Sequence, residues 1–183
     1  MNCSRRTQSD RVTESVIGGF LPQPVWLHEA EALMQQAVEV AHQTPAGDIP
    51  VGCIIVDPSG NLVACGTNQR EATGDPTAHA EIVAIRQAVQ HLQDSWRLAD
   101  CTLVVTLEPC AMCAGAIQAS RIGTVYFGAY EPKTGACGSV VDLLRGRGRI
   151  TDVAVRGGIA EAACAELLLA FFRALRDQEA GGE

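Results

Sequence analysis

A chain of 183 residues with 47% hydrophobic but only 4% aromatic side chains can bury one sizeable core built from Val, Ile, Leu and Ala, and needs no second domain. Its longest apolar stretches, such as Leu167 to Phe172, fall far short of the roughly 20 residues of a membrane-spanning helix, which excludes a helical membrane protein. The formal charge of −7 opposes a nucleic-acid partner in total but not locally. Residues 1–120 hold 6 Lys+Arg against 13 Asp+Glu, residues 121–176 hold 8 against 5, and residues 177–183 hold 3 acids and no base. Because a polyanion is steered by the local field, the later part of the chain stays open to RNA, although a solvated face has the same composition.

Residues 1–24 carry Arg5, Arg6 and Arg11, interrupted by Asp10 and Glu14, and the apolar patch from Val16 to Leu21 is short for a signal-peptide core. They read as a disordered extension, with a transit peptide as the alternative. The 8 cysteines are scattered, and several fall in expected strands. Without a secretory signal they fit reduced thiols of a cytoplasmic protein better than a disulfide framework.

After Pro22 and Pro24, apolar residues at helical spacing (Ala30, Leu33, Met34, Ala37, Val40) predict a first helix over Trp26 to Val40 that ends near Thr44-Pro45. The β-branched run Val51–Val56, the turn Asp57-Pro58-Ser59-Gly60-Asn61 and the run Leu62–Gly66 predict a hairpin. Asp75-Pro76-Thr77 supplies a capping residue and a proline for a second helix, Ala78 to Leu92, with Ile82, Ile85, Ala88 and Val89 on one face. Cys101–Leu107 reads as a buried strand stopped by Pro109. A helix over Ala111–Ala119, strands over Thr124–Gly128 and Asp152–Val155, and a last helix over Ile159–Arg176 follow. Strands alternating with helices give an α/β fold, a three-layer α/β/α sandwich with a five-stranded mixed, partly parallel sheet. The folded domain is expected over residues 25–176, with an acidic tail over 177–183.

The chemistry concentrates in His79, Glu81, Cys110 and Cys113, which fall at the starts of two of these helices. Cys110 and Cys113 are three apart, so both sulfurs share one side of a helix whose positive end favours thiolates. Such a pair alone fits a redox dithiol as well as a metal site. His79 adds a third ligand, and zinc with three protein ligands keeps a position for water, whose pKa falls toward about 7. Glu81 is two residues past His79 and in mid-helix would face away from it. The pair works only where the chain enters the helix, and there a carboxylate that is not a ligand can move protons between water and substrate. His79-x-Glu81 with Pro109-Cys110-x-x-Cys113 is the zinc-deaminase signature, and one Zn2+ per chain is expected.

Around these motifs the sequence resembles the bacterial tRNA-specific adenosine deaminases of the cytidine-deaminase-like superfamily. The likeness is carried by Ile49-Pro50-Val51-Gly52, Asn68, Asp75-Pro76-Thr77-Ala78-His79-Ala80-Glu81-Ile82, Thr106-Leu107-Glu108-Pro109-Cys110-Ala111-Met112-Cys113-Ala114-Gly115-Ala116, Arg121-Ile122, Pro132-Lys133-Thr134-Gly135-Ala136 and Phe171-Phe172-Arg173. The resemblance implies hydrolysis of the wobble adenosine of a tRNA anticodon loop to inosine by a cytoplasmic homodimer. It implies Glu81 as proton shuttle, Asn68 against the flipped base, Ala80 and Glu108 on the substrate side, and Lys133 and Arg173 near RNA phosphates. Asn68 also reads as a turn cap and Lys133 as a solvated turn lysine. The dimer is expected through the helix over 111–119, where Ala111, Ala114, Gly115, Ala116 and Ala119 leave a small-residue surface that could equally pack on its own sheet. Glu131, Cys137 and the stretch 145–151 depart from the family pattern on its substrate side. Two alternatives remain: a deaminase of a free base or nucleotide such as guanine or cytosine, and a non-catalytic zinc-stabilised RNA-binding module in which Cys137 is the spare fourth ligand.

Overall fold

The computed structural model describes residues 24–92 and 96–180, so the expected extension over 1–24 lies, apart from Pro24, outside the described residues. Ten elements follow in chain order: α1 (Val25–Ala41), β1 (Gly52–Val56), β2 (Leu62–Thr67), α2 (Arg70–Thr73), α3 (Ala80–Leu92), β3 (Thr102–Leu107), α4 (Ala111–Ala119), β4 (Thr124–Ala129), β5 (Ala154–Arg156) and α5 (Glu161–Ala180). The five-stranded sheet has the order β2-β1-β3-β4-β5. β1 is antiparallel to both β2 and β3, whereas β3–β4 and β4–β5 are parallel. The expected three-layer α/β/α sandwich with a mixed sheet is what forms.

Each face of the sheet has its own core. On one, Ala80, Ala84 and Ala88 of α3 and Ala114 and Ile117 of α4 pack over Cys53, Ile55, Leu103, Val105, Val125 and Phe127. On the other, Ala30, Met34 and Ala37 of α1 and Cys164 and Leu167 of α5 cover Ile54, Val56 and Val104. Alternate residues of β1 and β3 thus enter opposite cores, as the two-residue period of a strand requires.

Besides shifts of one or two residues at element ends, such as β5 at Ala154–Arg156 instead of Asp152–Val155, the structure differs from the sequence reading as follows. A short helix, α2, interrupts the segment between β2 and α3. α3 starts at Ala80 rather than Ala78, because Asp75 Oδ1 accepts from Thr77 N–H at 2.8 Å and from its hydroxyl at 2.7 Å and so closes a turn ahead of the helix. The buried stripe of α3 is Ala80, Glu81, Ala84 and Ala88; Ile82, Ile85 and Val89 are only half-buried, beside α4. α5 runs to Ala180, so residues 177–180, expected in the tail, continue the helix.

This topology decides where chemistry can occur. β2, β3 and β4 all run in one direction, so their C-terminal ends, and the beginning of the antiparallel β1, share one edge of the sheet. α3 begins after β2 and α4 directly after β3, at that edge. Gly66 allows α3 to approach: a Cβ there would lie 2.4 Å from Ala80 O and 2.7 Å from Ala84 N, closer than any side chain tolerates.

Candidate active site

The turn closed by Asp75 sets the entry to α3. His79 N–H donates to Thr77 O at 2.7 Å, and Val83 N–H donates to His79 O at 3.0 Å, so His79 is the last residue outside the helix and Glu81 lies in its first turn. The two therefore need not diverge as a mid-helix pair would, and both line one cavity. Cys110 is the N-cap of α4 in extended conformation, φ −75° and ψ 174°, and Cys113 follows in the first turn, where the helix dipole favours negative charge.

The three donor atoms meet. Cys110 Sγ lies 3.6 Å and Cys113 Sγ 3.5 Å from His79 Nδ1. Zinc bonds of about 2.3 Å to sulfur and 2.0–2.1 Å to nitrogen at a tetrahedral angle separate the two ligands by about 3.6 Å, so the residues fit that ion. Hydrogen bonding from the Cys113 thiol, opposed by burial and helped by His79, holds Cys110 down at about 3. The same hydrogen bond, together with burial, pushes Cys113 far up. Two sulfurs that share one proton beside an imidazole are a donor set from which a divalent cation displaces that proton. Among the described residues this is the one group of three or more such donors with converging atoms. Cys137 is outside it, a buried thiol pushed up to about 12 by burial and by the Glu108 carboxylate. Three protein ligands mark a catalytic rather than a structural zinc. Glu81, only 4% exposed, has its carboxyl pushed above the usual range by burial.

Residues 27–129 match the family of the cytidine and deoxycytidylate deaminase zinc-binding region. The chain belongs to this deaminase family. It is 41% identical over 150 residues to the tRNA-specific adenosine deaminase of Haemophilus influenzae, covering 81% of this chain and 86% of that protein. A solved structure from studies of A-to-I editing by tRNA:A34 deaminases superposes with a TM-score of 0.69 at 38% identity, covering 75% of this chain and 99% of the other. A guanine deaminase from Nitrosomonas europaea gives 0.66 at 26% identity, covering 83% and 94%.

The cavity of this deaminase holds about 180 Å³. Asn68 lines it, with its Nδ2 donating to Ile49 O at 3.2 Å, which leaves Oδ1 buried and without a partner among the described residues. Ala80 lines it as the head of α3. Two expected residues do not line it: Lys133 is exposed on the neighbouring loop, its N–H donating to Glu131 Oε1 at 2.8 Å, and Arg173 is exposed on α5, paired with Glu166 at 3.0 Å. Sequence reasoning passed over Arg70, which does line it. The signal was a basic residue two positions beyond Asn68, in a segment without periodicity.

Glu108 lines the cavity, but its oxygens are engaged by the loop that follows β4. They accept N–H groups from Glu131 at 3.1 Å, Cys137 at 2.9 Å and Ser139 at 3.0 Å, as well as the Ser139 hydroxyl. The loop is also tied to the metal-ligand segment by Ala136 N–H donating to Pro109 O at 2.8 Å. Gly135 is required there, since a Cβ would lie 2.5 Å from Glu108 Oε2. Gln118, buried on α4, similarly holds the stretch 145–151 by accepting from Ile150 N–H at 2.6 Å and Thr151 N–H at 3.0 Å.

Burial raises the Glu108 carboxyl, but the hydrogen bonds of Ser139, Glu131 and Cys137 outweigh it and hold it below the usual value. A depressed carboxyl stabilises the fold fully above its unfolded pKa of about 4.3 and loses that contribution as pH falls through the folded value. Glu108→Gln should therefore cost about 1–3 kcal/mol at neutral pH, and the gap to wild type should narrow on acidification below the carboxylate range. Urea unfolding of both proteins across that pH series checks this; a gap that stays constant with pH would remove the charged clamp.

Proposed function

We propose that this deaminase hydrolyses adenosine to inosine at the wobble position of a tRNA anticodon. The observation that carries the reading is one small cavity lined by His79 and Cys110 of the metal-ligand group, the buried Glu81 carboxyl and Asn68 with its unpartnered oxygen, in a chain about 40% identical to tRNA-specific adenosine deaminases. A volume of about 180 Å³ is below the 300–1,000 Å³ of ordinary ligand pockets, so one heterocycle enters and whatever it is attached to stays outside. A base in an anticodon loop leaves its stack at little cost.

When bound, zinc supplies an acidified water as the nucleophile. Glu81 would accept a proton from the attacking water as the water oxygen bonds to C6 of adenine, and would deliver that proton to N1. A second proton from the same oxygen passes through Glu81 to the amino group, the C6–N bond breaks and ammonia leaves, with a carbonyl at C6 as product. The raised carboxyl of Glu81 suits both directions of transfer. Asn68 Oδ1 offers an acceptor to an N–H of the base.

A free-base deaminase is the second reading, favoured by the likeness to the Nitrosomonas europaea guanine deaminase; turnover of an anticodon stem-loop against guanine, cytosine and adenosine separates the two. We also propose a homodimer through the α3–α4 face and a cytoplasmic location. The dimer is supported by an apolar groove between Ile82, Ile85, Val89, Met112, Ala116 and Ala119, beside the exposed Trp96. Of the small residues expected on that face, Ala114 is instead buried against its own sheet, while Ala111, Gly115 and Ala119 are exposed. For the location, among the described residues no helix is long and apolar enough to cross a membrane, and tRNA is a cytoplasmic substrate.

Glu81→Gln keeps size and the metal ligands but cannot shuttle protons, so inosine formation on the stem-loop should fall by at least 10²–10⁴ while zinc content is retained. More than about a tenth of wild-type turnover would move the shuttle elsewhere. Sedimentation should give a species of twice 19.3 kDa, and a monomer alone at micromolar concentration would remove the dimer.

A further inference from the structure

Helix α2 is four residues long and buries none of its side chains, so the core gains nothing from it. It is nevertheless firmly fixed. Asp48, 3% exposed, lies in the loop before β1. Its two oxygens accept the backbone N–H groups of Glu71 at 2.9 Å and Ala72 at 3.0 Å, donors that the first turn of a helix leaves unpaired. Thr73 Oγ1 donates to Gln69 O at 2.6 Å, and Gln69 N–H donates to Ala78 O at 2.9 Å, next to His79. Burying a carboxylate is costly unless its oxygens are hydrogen-bonded, and here those bonds hold a segment with no packing role. What the segment presents, at its first helical position, is Arg70.

Arg70 is the one Lys or Arg among the residues lining the cavity. It is exposed and makes no ion pair or hydrogen bond among the described residues, whereas Arg145, Arg149 and Arg173 are neutralised by Asp142, Asp152 and Glu166. Arg70 follows β2 and Glu131 follows β4. With the strand order β2-β1-β3-β4, the cation stands at one end of the cavity mouth and a carboxylate that repels phosphate at the other. The cavity takes a base and leaves ribose and phosphates at that mouth. A guanidinium fork matches phosphate oxygens in charge and geometry.

We propose that Arg70 binds the RNA backbone phosphate beside the base held in the cavity, and that Asp48 is the positioning residue that fixes α2 for it. The assignment rests on the tRNA reading above. It is tested by steady-state deamination of an anticodon stem-loop across a salt series, with wild type, Arg70→Ala, Arg70→Lys and the Asp48→Asn variant in both the wild-type and the Arg70→Ala background.

Arg70→Ala should raise KM about tenfold, as expected for one hydrogen-bonded charge contact, with the loss in KM rather than in kcat. It should flatten the dependence of log(kcat/KM) on log salt by about 0.7. Arg70→Lys, which keeps charge without the fork, should restore the salt slope and only part of KM. Asp48→Asn should raise KM in the wild-type background and add nothing in the Arg70→Ala background, the non-additivity of residues that act as a unit. A stem-loop that wild type deaminates with KM and salt slope unchanged by Arg70→Ala would overturn the inference and leave the tRNA reading standing. A wild-type protein inert on the stem-loop but active on guanine would overturn both. An equal effect of Asp48→Asn in the two backgrounds would remove Asp48 as the positioning residue.

Discussion

The convergence of two helix beginnings at one edge of the sheet is the constraint on which the site depends. His79 and Cys110 are separated by 31 residues, and neither motif can hold a metal alone. β2 and β3 run parallel with β1 between them, so their C-terminal ends stand two strand spacings, about 10 Å, apart. That matches the distance of about 8–10 Å at which helices pack side by side. Helices that leave those two strands on the same face therefore start next to each other, and side chains on their first turns can share an ion. The small buried stripe of α3 and the absence of a Cβ at Gly66 keep α3 close enough to the sheet for this to hold.

From that arrangement follows a division of labour among the charged groups around the cavity. The two thiols and the imidazole form the donor set, and Glu81, raised by burial, stays outside it, available for the proton transfers proposed above. Glu108 is as close in sequence to Cys110 as Glu81 is to His79, two residues in each case, yet its environment is opposite. Its oxygens are taken up by loop N–H groups, which hold it charged and fix the wall formed by residues 131–139. Two glutamates in one cavity thus differ by environment: burial raises Glu81, whereas loop N–H groups hold Glu108 down.

The donor set and Glu81 were legible in the sequence because each half of the site is local: a histidine just outside a helix with a carboxylate inside it, and two cysteines one helical turn apart. α4 was readable to its exact bounds for a similar reason, since Pro109 and the Cys110 cap mark its start. Less was legible where the structure acts over long separations. The cap of α2 is Asp48, 23 residues upstream of Glu71, so nothing within residues 70–73 announces a helix. The clamp between Glu108 and Ser139 spans 31 residues, so the sequence placed Glu108 on the substrate side without showing that it also holds the loop. On α3 the hydrophobic pattern pointed to its isoleucines, but close approach to the sheet selects the alanines and turns the larger side chains toward α4.

The catalytic reading requires that three protein donors, and no fourth, hold one zinc per chain. Zinc K-edge absorption on the purified protein, with metal quantified per chain, measures this directly. The expected result is stoichiometric zinc bound by two sulfurs, one imidazole nitrogen and one exchangeable light ligand. Three sulfurs with one nitrogen and no exchangeable position would bring Cys137 into the coordination shell and contradict the catalytic reading.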